Sequence, residues 1–356
     1  MKNKRIWIIV AGLIFGVLGA LMVNWGNPAN MGICVACFIR DISGAIGLQN
    51  KVMYLRPEII GFVLGAFVTA YGFREFRSRG GSSPIIRFLL GAFVMIGALV
   101  FLGCPVRMML RLAGGDLNGL TALAGLIVGV VAGIIFLKRG FNLGRAVKGP
   151  AIAGWVMPAL MVGLLLFAIF KPGFLMVSDK GPGSLFVPLA VALVVGLGVG
   201  FLAQRTRMCF VGGWRDLFLT KDTYLISGIL AFFVAALITN YAAGNFGAGG
   251  IYHWGFTSEP IAHNMHLWNF LGMGLVGLAA TLLGGCPLRQ LILTGEGDTD
   301  AGVTILGLFA GAALAHNFSL ASSGTGTGTW GPVAVIIGLV FCLFIGFFMR
   351  EGAKAT

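Results

Sequence analysis

Two cysteine-containing segments of this chain each occur twice, and this duplication limits the possible fold more than any other feature. Residues 103–116 (GCPVRMMLRLAGGD) align with residues 285–298 (GCPLRQLILTGEGD) at a constant offset of 182. Residues 34–41 (CVACFIRD) align with residues 209–216 (CFVGGWRD) at an offset of 175. Repeats this far apart exclude a short-period solenoid and indicate two related halves.

The composition places the chain in a membrane. It is 58% hydrophobic and 10% charged, whereas about a quarter of the residues in a soluble domain are charged. The formal charge of +13 does not indicate nucleic acid, because the basic residues lie between apolar stretches. The apolar run after MKNKR lacks an A-x-A-like cleavage site, so we expect a retained first span rather than a signal peptide.

Apolar stretches of about 20 residues recur along the whole chain and predict an all-α integral membrane protein with about ten transmembrane helices. The expected spans are 6–26, 57–73, 84–103, 117–137, 150–170, 185–203, 223–243, 267–285, 300–320 and 332–349. Four further segments are too short or too polar to cross, and they contain the repeated cysteines. They are 32–48, 104–113, 207–220 and 286–294. Such segments suit re-entrant or half-helices, which a bilayer tolerates only when they are buried in protein.

The distribution of basic residues predicts the orientation. With the N-terminus in the cytoplasm and ten spans, 18 of the 25 Lys and Arg residues fall on the cytoplasmic side. The seven on the other side are Arg40, Lys51, Arg56, Arg107, Arg111, Lys171 and Lys180. This excess follows the positive-inside rule and predicts a multi-pass membrane protein with both termini cytoplasmic.

The same threading predicts an inverted repeat within one transmembrane domain, 1–356. The repeats are about 6–137 and 185–320, a linking helix at 150–170 joins them, and a final helix follows at 332–349. Inverted repeats are typical of secondary transporters, with the substrate site where discontinuous helices meet. Cys34 and Cys104 would then enter from outside, and Cys209 and Cys286 from inside, along one path.

The GCP motifs predict where two of these cysteines lie. Proline favours the first position of a helix, so Pro105 and Pro287 place Cys104 and Cys286 at the N-termini of short helices. A helix N-terminus carries partial positive charge and free N–H groups, which bind anions and stabilise a thiolate. We therefore predict a substrate pathway along the four repeated cysteines.

Residues near the GCP motifs are expected to support this pathway. Arg107 and Arg289 add positive charge or pair with a nearby acid, and Gly103 and Gly285 let a substrate or the backbone approach closely. Glu296, which has no acidic counterpart in the first half, is a candidate for relaying protons. A small anion with a soft, polarisable atom suits such a site. Thiosulfate has both a soft sulfur and an oxyanion end, whereas sulfate has only the latter.

Cys37 and Cys342 have no repeat partner, and we interpret both as packing residues. Cys34 and Cys37 also form a C-x-x-C, which is either a redox pair or a metal pair in some proteins. Because no second C-x-x-C accompanies it, we expect neither a metal nor a cofactor.

These motifs resemble the YeeE/YedE family of bacterial inner-membrane proteins. The resemblance rests on GCPVR at 103–107, RTRMCF at 205–210, and GCPLR at 285–289 followed by GEGD. It implies an hourglass of transmembrane and half-helices in which three cysteines pass thiosulfate inward by successive S–H contacts. Carried over by position, they are Cys104, Cys209 and Cys286.

The opening MGICVACFIRDISGAIGL is similar to the branch of this family associated with selenium metabolism. The resemblance therefore also implies a reduced selenium species as a substrate, and a cytoplasmic sulfur or selenium carrier protein as a partner. Cys34 is a thiol beyond the three that thiosulfate carriers use.

Two other functions compete with a transporter of a small sulfur or selenium anion. A membrane thiol-disulfide oxidoreductase or sulfur/selenium transferase would use Cys34 and Cys37 as its reactive pair. A passive channel for anions or metals is the third; cation conduction would need rings of acidic residues, and the apolar core has few. Because matched thiols entering from both faces favour transport, we expect a transporter and not an enzyme.

Overall fold

The computed structural model describes residues 2–247, 249–257 and 260–350. The extreme termini, which we expect on the cytoplasmic side, lie outside the described residues. Fourteen α-helices are present in the described part of the chain. They are α1 (Lys2–Asn24), α2 (Val35–Ala45), α3 (Pro57–Gly72), α4 (Pro84–Phe101), α5 (Pro105–Ala113), α6 (Asn118–Lys138), α7 (Ala151–Phe170), α8 (Leu189–Thr206), α9 (Gly212–Thr220), α10 (Tyr224–Ala242), α11 (His266–Leu283), α12 (Pro287–Gly295), α13 (Thr299–Asn317) and α14 (Gly331–Phe348). Two short strands, β1 (Arg79–Gly80) and β2 (Val147–Lys148), pair antiparallel.

The all-α membrane architecture is confirmed. Nine segments of the described chain are long and apolar enough to cross a bilayer, and two of them, Pro84–Ala113 and His266–Gly295, join a long helix to a short one. The remaining predicted span, 57–73, corresponds to helix α3, which has only 16 residues. The protein is therefore a multi-pass membrane protein, and each of the four short segments predicted at the cysteines forms a helix of its own (α2, α5, α9 and α12).

The long helices pack in corresponding pairs. Helix α1 lies along α10 and α3 along α8, while α4 lies along α13 and α6 along α11. The sequence repeat aligns α1 with α8, α3 with α10, α4 with α11 and α6 with α13. When each helix is exchanged with its counterpart, the same four pairs result. Helices α7 and α14 stand outside this pattern, since α7 packs on α3, α12 and α13, whereas α14 packs on α4, α6 and α11.

Close helix crossings are formed where the predicted small residues meet. A Cβ on Gly12 of α1 would lie 2.1 Å from the carbonyl oxygen of Gly228 in α10, and one on Gly61 of α3 would lie 2.7 Å from the Cα of Gly196 in α8. No side chain fits at such distances, so the backbones of both crossings touch directly. The glycines of residues 12–20 (GLIFGVLGA) and 196–200 (GLGVG) thus allow close helix packing, as membrane helices commonly require.

Loops rich in arginine and lysine gather on one side of the helices, which we call the basic face. Arg205 pairs with Glu75 at 3.0 Å and Arg79 with Asp298 at 2.9 Å, which joins loops distant in sequence. On the same face, the backbone N–H of Asn142 donates to the backbone carbonyl of Met349 at 3.2 Å. The side opposite to it is called the far face.

Candidate functional site

Cys34 and Cys104 form the first cysteine pair. Their Sγ atoms lie 3.7 Å apart, and both residues are completely buried. Cys34 is the N-cap of α2, and Cys104 is the N-cap of α5 with Pro105 at its first position. Two helix N-termini therefore converge on the two sulfur atoms.

Cys209 and Cys286 form the second cysteine pair. The backbone N–H of Cys286 donates to the Sγ of Cys209 at 3.3 Å, and Cys286 is the N-cap of α12 with Pro287 at its first position. The predicted helix N-termini at both GCP motifs are thus confirmed. Exposure is 4% at Cys209 and 0% at Cys286, so this pair is also enclosed by protein.

The two pairs share a local contact at equivalent positions. The Sγ of Cys34 accepts the N–H of Cys37 at 3.4 Å, and the Sγ of Cys209 accepts the N–H of Gly212 at 3.1 Å. In each case the donor lies three residues after the cysteine, at the start of a short helix. The sulfur therefore faces the N–H groups of that helix, which is the environment that favours negative charge.

Arg107 lies beside the first cysteine pair. Its buried guanidinium donates to the carbonyls of Leu102 and Ile261, the latter at 3.0 Å, and contacts the Sγ of Cys37 at 3.6 Å. Its Nε has no hydrogen-bond partner. No carboxylate of the described residues forms an ion pair with it. Among the described residues, the first pair thus faces an arginine whose polar contacts are two carbonyl oxygens and a sulfur.

This geometry changes our interpretation of Cys37. The sequence suggested packing, because residue 37 has no counterpart cysteine in the second half. The structure places its thiol against Arg107 and its N–H on Cys34, so it belongs to the site. The only sequence signal was its spacing of three residues from Cys34, which puts both on one turn at the start of α2.

Arg289, at the equivalent position in the second half, has a carboxylate partner. It pairs with Glu296 at 2.9 Å, and Glu296 also lies 3.9 Å from Arg79 on the basic face. Of the two predicted options for these arginines, Arg289 takes the pairing with an acid and Arg107 does not. The proposed proton relay at Glu296 stays a prediction, since the carboxylate is held by two cations here.

The glycine that precedes the cysteine in each GCP motif has a local explanation. A Cβ on Gly103 would lie 2.7 Å from Cδ of Arg107, and one on Gly285 would lie 2.9 Å from Cγ of Arg289. Each glycine therefore makes room for the arginine side chain of the helix that follows. We expected these glycines to admit substrate or backbone, and the neighbour that the structure shows is the arginine.

Ion pairs join the two Arg-Asp segments near the site. Asp41 accepts hydrogen bonds from Arg40 and Arg56, and Asp216, its repeat counterpart, pairs with Arg215 at 2.8 Å. The pairs of Asp41 are buried, whereas the Arg215–Asp216 pair is partly exposed. Sequence reasoning missed Glu58, which is fully buried and accepts a hydrogen bond from Asn27 at 2.9 Å.

The acids after the Gly-rich turns also have partners. Asp116 pairs with Arg111, and both side chains are completely buried. Asp298 accepts the Ala301 N–H at 3.0 Å and so caps α13, while its other oxygen pairs with Arg79. The Asp116 carboxylate accepts from the N–H of Asn118, the first residue of α6.

Comparisons with known proteins point to sulfur compounds. Residues 205–350 match the model of a family described as "Sulphur transport". The chain is similar to the thiosulfate transporter TsuA of Spirochaeta thermophila, with 34% identity over 131 residues, which are 36% of this chain and 37% of that protein. It is also similar to TsuA of Escherichia coli, with 28% identity over 124 residues, or 32% of this chain and 30% of that one. The matches therefore span little more than a third of these relatives.

Proposed function

We propose that the chain belongs to the YeeE/YedE family and that it imports a small sulfur- or selenium-containing anion along its cysteines. Thiosulfate is the first candidate, because the names of both curated relatives specify it. A reduced selenium counterpart has the same soft end and is the second. In this proposal the protein is a transporter and not an enzyme.

One observation carries the proposal: two thiol pairs, each at the N-termini of short helices, are enclosed within the protein. Sγ–H groups make weak contacts with a soft sulfur or selenium atom, whereas helix N–H groups offset the lost hydration of a charged oxyanion end. Several weak contacts in sequence let an ion pass, while one deep site would retain it. Both chemical demands of thiosulfate are met by residues of one pair.

The pairing of corresponding helices supports an inverted repeat, as predicted for about 6–137 and 185–320. In such an arrangement the first cysteine pair receives the anion from the far face, and the second releases it at the basic face. We place the basic face in the cytoplasm of a bacterium, since basic loops are retained there. The driving force is then an ion gradient or removal of the product, for example by a sulfur or selenium carrier protein.

The test is uptake into liposomes that contain the purified protein. Labelled thiosulfate and reduced selenium species are supplied separately, and Cys34, Cys104, Cys209 and Cys286 are replaced one at a time by Ala. We expect each replacement to reduce uptake at least about tenfold, because transport in series fails when one station is lost. Cys342→Ala is the matched control, since Cys342 is a buried thiol in α14 outside both pairs. Unchanged uptake by the Cys104, Cys209 and Cys286 variants would refute the pathway.

The contacts of Cys37 favour one alternative, a thiol oxidoreductase or sulfur transferase that uses Cys34 and Cys37. Both residues lie in one turn, and Arg107 is positioned to stabilise a thiolate on Cys37. This function predicts that Cys37→Ala abolishes activity as completely as Cys104→Ala. It also predicts thiol-disulfide exchange by the protein in detergent, without any compartment to fill. Full uptake by Cys37→Ala would exclude it.

A further inference from the structure

A pocket of about 660 Å³ lies on the basic face, and none of the four paired cysteines lines it. It is formed where the basic-face ends of α1, α3, α8 and α10 diverge. Trp7, Phe73 and Phe201 line it together with Leu202, and Arg205 and Arg207 stand among them. The volume falls within the range of about 300–1,000 Å³ that is common for pockets binding drug-sized ligands.

The walls of this pocket are suited to contact with lipid. Trp7 is 62% exposed, Phe73 57% and Phe201 45%, although all three belong to apolar helices or their immediate ends. Tryptophan is enriched at the boundary between hydrocarbon and headgroups. A small dianion would gain nothing from aromatic walls, whereas an acyl chain would bury apolar area against them.

The charged part of the pocket is positive. Glu75 is the one acid among the lining residues, and it is already bound by Gln204 at 2.7 Å and by Arg205 at 3.0 Å. The guanidinium of Arg205 also lies 4.2 Å from the centre of the Phe73 ring. Arg207 is exposed and, within the described residues, has no ion-pair partner at contact distance. A net cationic group therefore borders the apolar walls.

We propose that this pocket binds a phospholipid with an anionic headgroup, with its phosphate at Arg205 and Arg207 and an acyl chain along Trp7 and Phe201. The arrangement combines a cationic rim with an apolar cleft at the end of membrane helices, which is the recognition chemistry of an anionic lipid. This inference is independent of the transported ion.

The position of Arg207 gives such a lipid a structural role. Arg207 has a left-handed backbone (φ +56°), ends α8, and lies two residues before Cys209. A phosphate bound to its side chain would steady the short segment that delivers Cys209 to the second pair. It would also occupy a cation that otherwise attracts an anion leaving that pair.

Lipids brominated on the acyl chain test the proposal, because bromine quenches the fluorescence of a nearby tryptophan. The full chain is placed in vesicles in which either phosphatidylglycerol or phosphatidylcholine is brominated. We expect stronger quenching by the brominated anionic lipid, and we expect Trp7→Phe to remove this difference while the other tryptophans respond equally to both lipids.

Arg207→Gln separates the pocket from general surface charge. An arginine at a membrane surface contributes about fivefold to anionic lipid affinity, so the variant should reduce the preference by about that factor. Arg139→Gln is the matched control, since Arg139 is an exposed arginine at the basic-face end of α6. Equal effects of both substitutions, or equal quenching by both lipids in the unaltered protein, would overturn the proposal.

Millimolar inorganic phosphate distinguishes a lipid from a free anion. A phospholipid held also by its acyl chain should resist displacement, so quenching should persist. If phosphate abolishes the preference, and Trp7→Ala retains phosphate binding in detergent, the pocket is a small-anion site and the lipid proposal is wrong.

Discussion

The two cysteine pairs occupy equivalent positions in the chain, yet the arginine beside each has different surroundings. Arg107 is fully buried and touches two carbonyls and a thiol, whereas Arg289 is bound to the carboxylate of Glu296. A charge without a counter-ion attracts an anion more strongly than one already neutralised. Within the proposed transport, the first pair would therefore capture the anion and the second would release it.

A related difference concerns the acids that follow the short helices. Asp116 and Asp298 are aligned by the repeat, but the Arg111–Asp116 pair is completely buried, whereas the Arg79 side chain that binds Asp298 is 42% exposed. Buried ion pairs tolerate the loss of one partner poorly, because the remaining charge has no solvent. The stability of the first half should thus depend on its ion pairs more than that of the second half does.

The largest predicted effect follows from this difference. Asp116→Asn leaves the buried Arg111 charge uncompensated and should destabilise the protein by about 3–5 kcal/mol. Asp298→Asn keeps a residue that caps helices well and loses an ion pair that is partly exposed, so it should cost at most about 1 kcal/mol. Thermal unfolding of both variants in the same detergent measures the contrast, and equal losses of stability would contradict it.

The arginines should differ in transport. Arg107→Gln should reduce uptake at low substrate concentration by about tenfold or more, since a hydrogen bond to a charged group contributes about 1.5–3 kcal/mol. Arg289→Gln should change uptake by no more than about fivefold, because its charge is already paired. Arg107→Lys retains the charge and serves as the control. Greater sensitivity at Arg289 would reverse our assignment of capture and release.

The helix breaks before the two GCP motifs differ as well. Leu102 and Gly284 are aligned by the repeat, and both have left-handed backbones, with φ of +68° and +86°. A Cβ on Gly284 would contact nothing within 4 Å. Gly284→Ala should therefore destabilise the protein by about 1 kcal/mol through backbone strain alone. An unchanged unfolding temperature of Gly284→Ala would show that the backbone at residue 284 accepts alanine without strain.

The smallest predicted effects concern pH, and they differ between the two faces. Burial lowers the pKa of His263 in the far-face segment before α11, while the Val100 carbonyl that contacts its Nε2 opposes this shift. The folded state therefore binds fewer protons than the unfolded state, and stability present above about pH 6.5 is lost as the pH falls below that value. His263→Gln should make the unfolding temperature less dependent on pH between pH 7.5 and 5.

On the basic face, a hydrogen bond from Gln204, followed by the Arg205 ion pair, lowers the pKa of Glu75. Its stabilising contribution is complete above the usual glutamate pKa of about 4.3 and is lost as the pH falls through the lower folded value. Glu75→Gln should consequently have no effect on the pH dependence between 7.5 and 5. If Glu75→Gln changed the pH dependence in that window, the acid sensitivity would belong to the basic face and not to the far face.

Much of the fold could be predicted because it depends on local signals. Apolar stretches gave the long helices, and the proline after Cys104 and after Cys286 identified a helix start, since proline has no N–H to lose there. Each of these features is determined by a few neighbouring residues.

The contacts within the site could not be predicted in the same way. The 3.7 Å approach of Cys34 to Cys104 joins residues 70 positions apart, and it depends on how α2 and α5 are brought together. The repeat made Arg107 and Arg289 look alike. Only the tertiary structure shows that Arg289 is bound to a carboxylate, whereas Arg107 has no carboxylate partner among the described residues. The contact of Cys37 could not be foreseen for a similar reason, since its thiol meets Arg107 of a distant helix.

The enclosure of all four thiols has a consequence for the cell that holds the protein. The described side chains pack around these sulfur atoms, with 0% exposure at Cys34, Cys104 and Cys286 and 4% at Cys209. Within the proposed transport, this enclosure would shield the thiols from dissolved oxidants until a substrate anion enters, and it would oppose leakage of protons and metal cations across the membrane.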